Sequence, residues 1–71
     1  LAVNVSARQI REPSLVGDVA EALAHAGLPP AALLVELPEG AFMRCGDAEL
    51  DRLRALKALG VRLGIDDFGT G

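Results

Sequence analysis

Cysteine and aromatic side chains are almost missing from this 71-residue chain, which has one cysteine, no tryptophan and no tyrosine. A lone Cys45 cannot form a disulfide within the chain, and the lack of a Cys/His cluster argues against a structural zinc site. Apolar runs long enough to cross a bilayer are also missing, as is the layout of a signal peptide. The sequence therefore excludes disulfide-rich and zinc-stapled scaffolds and predicts no membrane contact from this segment.

Positive charge is in short supply as well. The net charge is −3, and the seven Lys and Arg residues are scattered along the chain. Without a basic patch there is no electrostatic footprint for a nucleic acid polymer, so we expect no such partner. We expect a soluble protein of the cytoplasm and leave open a homodimer formed through the complete domain.

What the chain does contain is a regular alternation of apolar runs and amphipathic segments. The strand candidates cover residues 1–6, 33–37 and 61–65, and the helix candidates cover residues 14–26 and 47–59. Residues 7–13 are expected to form a polar connection, and residues 38–46 a loop with a turn of helix around Phe42. Because the strands do not simply alternate and are joined by helices, the order β-α-β-α-β predicts an α/β fold with a parallel sheet covered by helices.

Both helix candidates carry end signals. Ser14 and Asp47 are the predicted N-cap residues, and Gly27 and Gly60 are predicted to end the two helices. The leucines of the second helix recur every three residues, and this pattern predicts a face packed in the core rather than a dimer zipper. These leucines are Leu50, Leu53, Leu56 and Leu59.

The chain is short for an independent domain. A chain of this length buries a smaller fraction of its surface on folding than a full domain does, and nothing in the composition indicates a disulfide or metal site that would compensate. It begins without Met inside a strand-like run and stops inside the turn "GTG". We therefore expect residues 1–71 to be a piece of a larger domain.

Oxygen-bearing side chains recur where the predicted strands end. They are Asn4, Glu36, Asp66 and Asp67, spaced one β-α unit apart. In a parallel sheet these positions meet at the carboxyl edge, where α/β folds and (β/α) barrels build their sites. A single Asp at such a place is more often a helix cap or turn residue, but the same placement on three strands favours a site.

The oxygen ligands at this edge suit a hard cation such as Mg²⁺ or Mn²⁺. Two adjacent aspartates are also able to serve two metals, an arrangement that recurs in phosphate ester hydrolysis. Two further residues are left open at this point. Glu39 is either a solvated loop carboxylate or a supporting group, and Arg8 is either an ordinary exposed side chain or a phosphate contact.

Three motifs, "VNVSARQ", "LLVELPE" and "LGVRLGIDDFGTG", resemble those of the EAL domain family of cyclic di-GMP phosphodiesterases. The resemblance extends over essentially the whole chain. It implies that the chain forms about three consecutive strands of a TIM-like (β/α) barrel. It also implies that the complete domain hydrolyses cyclic di-GMP to linear pGpG with Mg²⁺ or Mn²⁺, while the isolated segment is expected to be inactive.

The resemblance also implies roles for individual residues. Four positions match the family's metal ligands: Asn4, Glu36, Asp66 and Asp67. The last three of these are also the expected catalytic residues. Glu39 matches the glutamate that stabilises the loop after the aspartate pair, and Arg8 is a weaker match to an arginine on the substrate phosphate side.

One departure and two competing hypotheses remain. Pro38 stands where the family motif has Thr, which removes a hydroxyl and an N–H next to Glu39.

The Glu-Ala-Leu signature and the later Lys, Glu and Gln positions would lie outside this segment, so a catalytically inactive EAL-like receptor of cyclic di-GMP is the alternative function. An unrelated receiver-type domain fits poorly, because here the acidic pair ends the third strand and is followed by the glycine turn.

Overall fold

The computed structural model describes the backbone of residues 1–66 and the side chains as far as Ile65. Within residues 1–66 there are three strands, and two α-helices stand between each pair of consecutive strands. The strands are β1 (Ala2–Asn4), β2 (Leu34–Pro38) and β3 (Arg62–Asp66). The helices are α1 (Ala7–Ile10), α2 (Leu15–Ala26), α3 (Glu39–Met43) and α4 (Asp47–Leu59), and a 3₁₀ helix (Pro30–Ala32) precedes β2.

The three strands form one parallel sheet in the order β1-β2-β3. Parallel neighbours require a crossover connection, and α2 and α4 provide the main helix of each crossover. The predicted α/β fold with a parallel sheet is therefore confirmed. Because β2 lies in the centre, it fixes the relative register of the two outer strands.

The core lies between one face of the sheet and the two long helices. Val35 and Leu37 of β2 are each 1% exposed, and Leu56 of α4 is fully buried. Leu23 of α2 and Leu53 of α4 are also buried in this cluster. The leucine stripe of α4 is thus core, as predicted, with Leu50 and Leu59 half-buried at its ends.

The predicted helix ends are correct in position, but two of the caps differ. Ser14 precedes α2, yet its hydroxyl donates to the Asp18 carboxylate at 3.0 Å and makes no capping bond to the backbone. Asp47 is the first residue of α4 rather than its cap, and Glu49 accepts a hydrogen bond from the backbone N–H of Gly46. With 12 and 13 residues, α2 and α4 are the longest helices described, and none of the helices within residues 1–66 is long and apolar enough to cross a membrane.

The predicted polar connection after the first strand is wrong. Residues Ala7–Ile10 form α1, with Ser6 as its N-cap. The Ser6 hydroxyl accepts from the Gln9 backbone N–H at 3.2 Å, and the Gln9 side chain accepts from the Ser6 N–H at 2.8 Å. This reciprocal capping box satisfies two backbone donors at once. Ile10 then points into the core and is 1% exposed.

Candidate functional site

The site begins with two polar residues on neighbouring strands. Asn4, the last residue of β1, is the direct register partner of Glu36 in β2. The pairing continues one residue further, because the backbone N–H of Val5 donates to the Glu36 carbonyl oxygen at 2.9 Å. The backbone ladder therefore fixes the spacing of Asn4 and Glu36 independently of their side chains.

Glu36 belongs to the sheet face that the helices leave uncovered. Its neighbours Val35 and Leu37 are buried beneath the helices, whereas Glu36 itself is half-buried. Successive residues of a strand point to opposite faces, so Glu36 points away from the core cluster. No hydrogen bond or ion pair from another described side chain engages its carboxylate.

Gly64 of β3 is the register partner of Glu36 on the other side. A Cβ atom placed on Gly64 would lie 3.9 Å from Cγ of Glu36 and 3.6 Å from Cδ1 of Leu34, which is ordinary contact. The row Asn4–Glu36–Gly64 therefore carries two polar side chains and then a position without one. The sequence did not predict a role for Gly64, because only the register of β2 and β3 shows that it pairs with Glu36.

The predicted ligand of the third strand, Asp66, lies two residues beyond Gly64. Asp66 is the last residue of β3 and pairs with Pro38, two positions beyond Glu36. The sequence had indicated that Glu36 ends its strand. This is wrong, because β2 continues to Pro38. The Asp66–Pro38 pair is thus separated from the row Asn4–Glu36–Gly64 by an even number of residues, two on each strand. Asp67 and the glycine turn lie outside the described residues.

The predicted phosphate contact, Arg8, and the predicted loop-stabilising residue, Glu39, stand on the short helices that follow β1 and β2. Arg8 lies in α1 and is exposed, and Glu39 is the first residue of α3 and is also exposed. Both helices start at the carboxyl edge of the sheet, so the structure brings both residues to the side where Asn4 and Asp66 lie. The loop that Glu39 is predicted to stabilise is outside the described residues.

Sequence reasoning missed the devices that hold α1. The capping box has a sequence signal, Ser-x-x-Gln at residues 6–9, that identifies a helix start. The second device has no such signal: Arg52 of α4 donates from Nη1 to the Ile10 carbonyl oxygen at 2.9 Å. Only the packing of α1 against α4 brings these two residues together.

The donors that are described fit a hard cation. Asn4 offers an amide oxygen and Glu36 a carboxylate on adjacent strands, and such oxygen ligands suit Mg²⁺, Mn²⁺ or Ca²⁺. Among the side chains described, no three of His, Cys, Asp and Glu form a group able to hold a metal ion. Glu36 is one of these side chains, whereas those of Asp66 and Asp67 lie outside the described part of the chain. The fit therefore depends on donor chemistry and on the register of the three strands.

Comparison with known families decides to which group the chain belongs. A family model described as the EAL domain matches residues 1–71, the whole chain. This chain belongs to the EAL domain family. The EAL resemblance stated from the three sequence motifs is thereby confirmed.

Named relatives of this EAL segment include signalling proteins. The chain is 48% identical to an uncharacterized signaling protein of Caulobacter vibrioides. It is 46% identical to the bifunctional diguanylate cyclase/cyclic di-GMP phosphodiesterase MucR of Pseudomonas aeruginosa, and 45% identical to the cyclic di-GMP phosphodiesterase NbdA of the same organism. Each match covers 100% of this chain but only 9%, 10% and 9% of these relatives, respectively.

Solved EAL structures share the fold of this segment. The Pseudomonas aeruginosa MucR phosphodiesterase in complex with cyclic di-GMP superposes with a TM-score of 0.88 at 47% identity, covering 99% of this chain and 31% of that one. A manganese and cyclic di-GMP complex of Klebsiella pneumoniae BlrP1 superposes with a TM-score of 0.87 at 38% identity, covering 100% of this chain and 18% of that one. The three strands and their helices are therefore a consecutive part of an EAL (β/α) barrel.

Proposed function

We propose that this EAL segment forms part of a metal-dependent phosphodiesterase that hydrolyses cyclic di-GMP to linear pGpG. The observation that carries the proposal is the register of the sheet, in which Asn4 pairs with Glu36, and Asp66 pairs with Pro38 two positions beyond Glu36. The complexes of MucR and BlrP1 with cyclic di-GMP support the choice of substrate. The complexes of BlrP1 with manganese and with calcium support a divalent cation at the site.

Four residues of this chain would hold the cations: Asn4, Glu36, Asp66 and Asp67. Two of them belong to the ladder between β1 and β2, so their spacing does not depend on the segment after Asp66. Bound divalent cations supply Lewis-acid activation of water and neutralise charge on the phosphodiester oxygens. We propose Mg²⁺ or Mn²⁺ for this role.

The reaction adds one water molecule across one of the two phosphodiester bonds of the ring. One P–O bond breaks and one forms to the water oxygen, a water proton passes to the leaving oxygen, and the single linear product carries a terminal phosphate and a free hydroxyl. Glu36, Asp66 and Asp67 are the proposed catalytic residues. Arg8 is proposed to meet a substrate phosphate, and Glu39 is proposed to steady the loop that begins at Asp67.

The experiment uses the full-length protein that contains this segment and compares two pairs of variants. Glu36→Gln and Asp66→Asn remove one anionic ligand each without a large change of shape. The matched controls are Glu21→Gln on the exposed side of α2 and Asp51→Asn, whose carboxylate pairs with Arg54 on the surface of α4. Hydrolysis is followed by separation of pGpG from cyclic di-GMP, and Mn²⁺ affinity is measured by titration.

We expect both ligand variants to lose turnover by more than about a hundredfold, since even outer partners of a metal site contribute ten- to hundredfold. Their Mn²⁺ affinity should fall as well, and both controls should keep the parent values. Parent-like turnover of Asp66→Asn would show that the site is assigned wrongly. A parent protein that binds cyclic di-GMP and leaves it intact would be the receptor of the alternative hypothesis.

A further inference from the structure

One guanidinium links α4 to α1, the short helix that carries Arg8. Arg52 is half-buried on α4 and donates from Nη1 to the carbonyl oxygen of Ile10 at 2.9 Å. Ile10 is the last residue of α1, and its side chain is 1% exposed. The two partners are 42 positions apart in the sequence. This bond is therefore a tertiary contact between two β-α units rather than a local feature of one helix.

The bond satisfies a backbone acceptor that α1 itself leaves free. The last carbonyls of a helix have no partner within it. Those of Arg8 and Gln9 accept from the N–H groups of Arg11 and Glu12, at 3.2 and 3.1 Å. The carbonyl of Ile10 accepts from Arg52, and a cation at a helix C-terminus is also favoured by the helix dipole. Both ends of α1 are thus held, by the capping box at one end and by Arg52 at the other.

A four-residue helix needs such support. Isolated helices of this length are not stable in water, and most helical stability in proteins comes from tertiary packing. For α1 the described supports are the capping box, the buried Ile10 side chain and the Arg52 bond. Arg8 is exposed on this helix, so its position depends on these supports.

Asn4, by contrast, is held by the sheet. It pairs with Glu36, and the next residue, Val5, donates to the Glu36 carbonyl. Loss of the Arg52 bond would therefore disturb Arg8 on α1 while leaving Asn4 and Glu36 in register. The two halves of the site, the predicted metal ligands and the predicted phosphate contact, have separate mechanical supports.

We propose that Arg52 is a positioning residue, which holds α1 and with it Arg8 at the substrate side of the site through the Ile10 carbonyl. The proposal rests on the proposed function, in which Arg8 meets a phosphate of cyclic di-GMP. It gives Arg52 a role in substrate affinity and none in metal affinity. That separation distinguishes it from a general contribution to folding.

The test compares Arg52→Gln with the parent in the full-length protein. We expect the KM for cyclic di-GMP to rise about tenfold, the order of one charge-assisted hydrogen bond. Amide hydrogen exchange in residues 7–11 should become faster by a similar factor, because α1 opens locally. Mn²⁺ affinity, measured without substrate, should stay at the parent value.

Two further variants sharpen the comparison. Arg54→Gln removes the same charge two residues away, where Arg54 pairs with Asp51 at 2.9 Å on the exposed side of α4, and it should leave all three quantities unchanged. Arg52→Lys keeps a cation that can donate a hydrogen bond, but it loses the planar guanidinium. Its KM and exchange rates should lie between those of the parent and of Arg52→Gln. If the Gln variant does not fold, the Lys variant is compared directly with the parent, with a smaller shift in the same direction expected.

Each contrary result has a distinct meaning. A parent that neither binds nor hydrolyses cyclic di-GMP overturns the proposed function and this inference together. An active parent with unchanged KM or unchanged α1 exchange in Arg52→Gln overturns only the inference. Parallel losses of Mn²⁺ affinity and substrate affinity in Arg52→Gln would mean a general structural role and would contradict the inference. A Lys variant as impaired as the Gln variant would contradict the expectation that a cation at this position retains part of the function.

Discussion

Glu36 combines partial burial with an open neighbouring position. Its carboxylate stands on the uncovered face of the sheet, and its partner Gly64 adds no side chain beside it. A carboxylate in that setting keeps its oxygen atoms available, because no described donor competes for them. The local environment thus suits a ligand better than a buried structural acid, which would need a partner.

Cys45 provides a second residue-scale feature with a measurable consequence. It is half-buried just before α4, and its Sγ donates to the Ala41 carbonyl oxygen at 3.4 Å. Burial raises the pKa of the Cys45 thiol, and the nearby Glu49 carboxylate raises it further. Both causes disfavour the thiolate, which is the reactive form.

We predict that Cys45 is alkylated slowly by iodoacetamide at neutral pH in the full-length protein. Because the pKa is raised, the rate should keep increasing with pH above the ordinary thiol value of 9.0. The folded state holds the thiol proton more tightly than the unfolded state, so stability contributed by Cys45 is present below the ordinary pKa and is lost as the pH rises through the raised pKa. Mass spectrometry of the peptide containing Cys45 follows the modification.

The full-length protein unfolded in urea provides the control, with the modification followed in the same peptide. It should react faster than the folded protein at equal pH, since neither burial nor Glu49 then acts on the thiol. Equal rates in the folded and unfolded protein at neutral pH would contradict the prediction.

At the scale of elements, α3 starts without a side-chain cap. Pro38 occupies its N-cap position with φ −60° and ψ 142°, and no side-chain hydrogen bond caps the helix. A φ of −60° is the angle that proline prefers, so the residue fits without strain. What Pro38 cannot supply is a hydroxyl acceptor of the kind that a Thr at the N-cap can provide.

We predict that Pro38→Thr in the full-length protein raises turnover more than it changes Mn²⁺ affinity. A capping hydroxyl stabilises a helix start by about 1 kcal/mol, and a better-held α3 would position Glu39 at its first residue. The proposed ligands Asn4 and Glu36 are held by the sheet and should not respond. Hydrolysis rates and Mn²⁺ titrations of both proteins make the measurement.

Pro29→Thr is a matched control for this substitution. Pro29 occupies the N-cap of the 3₁₀ helix with φ −71° and ψ 149°, nearly the same backbone geometry, but it precedes β2 at the opposite edge of the sheet. It should leave turnover unchanged. Equal turnover of Pro38→Thr and the parent would mean that proline already holds α3 well enough.

For the whole molecule, the described part of the sheet has two outer strands and an exposed apolar groove. The outer strands β1 and β3 each have a neighbour on one side only within residues 1–66. A groove of about 360 Å³ lies along β1 and α2. Leu1 and Val3, which line it, are 72% and 40% exposed. Open edges and exposed apolar surface of this kind reduce stability and favour association.

We predict that the 71-residue segment by itself is at best marginally stable. A chain of this size buries too little apolar area to offset its conformational entropy by a wide margin. Thermal unfolding monitored by circular dichroism should be broad and have a low midpoint, and the segment should bind a hydrophobic dye. The full-length protein is the comparison. A sharp cooperative transition of the isolated segment at high temperature would contradict this prediction.

Several features could be predicted from the sequence because they depend on periodicity or on single-residue conformational preference. The leucine stripe of α4 repeats over three turns, so its buried face was evident. Gly27 and Gly60 end the long helices with φ of 69° and 114°, which residues other than glycine rarely adopt. The placement of Asn4 and Glu36 on adjacent strands followed from one β-α unit between them.

Only the tertiary structure decided which short helices form and how the strands are aligned with one another. With four residues, α1 is too short to show a period, and its formation depends on contacts with the rest of the chain. The extension of β2 to Pro38, which pairs with Asp66 two positions beyond Glu36, depends on pairing with β3. The bond from Arg52 to Ile10 joins distant positions, and no local pattern encodes it, because a backbone carbonyl presents the same acceptor at every residue.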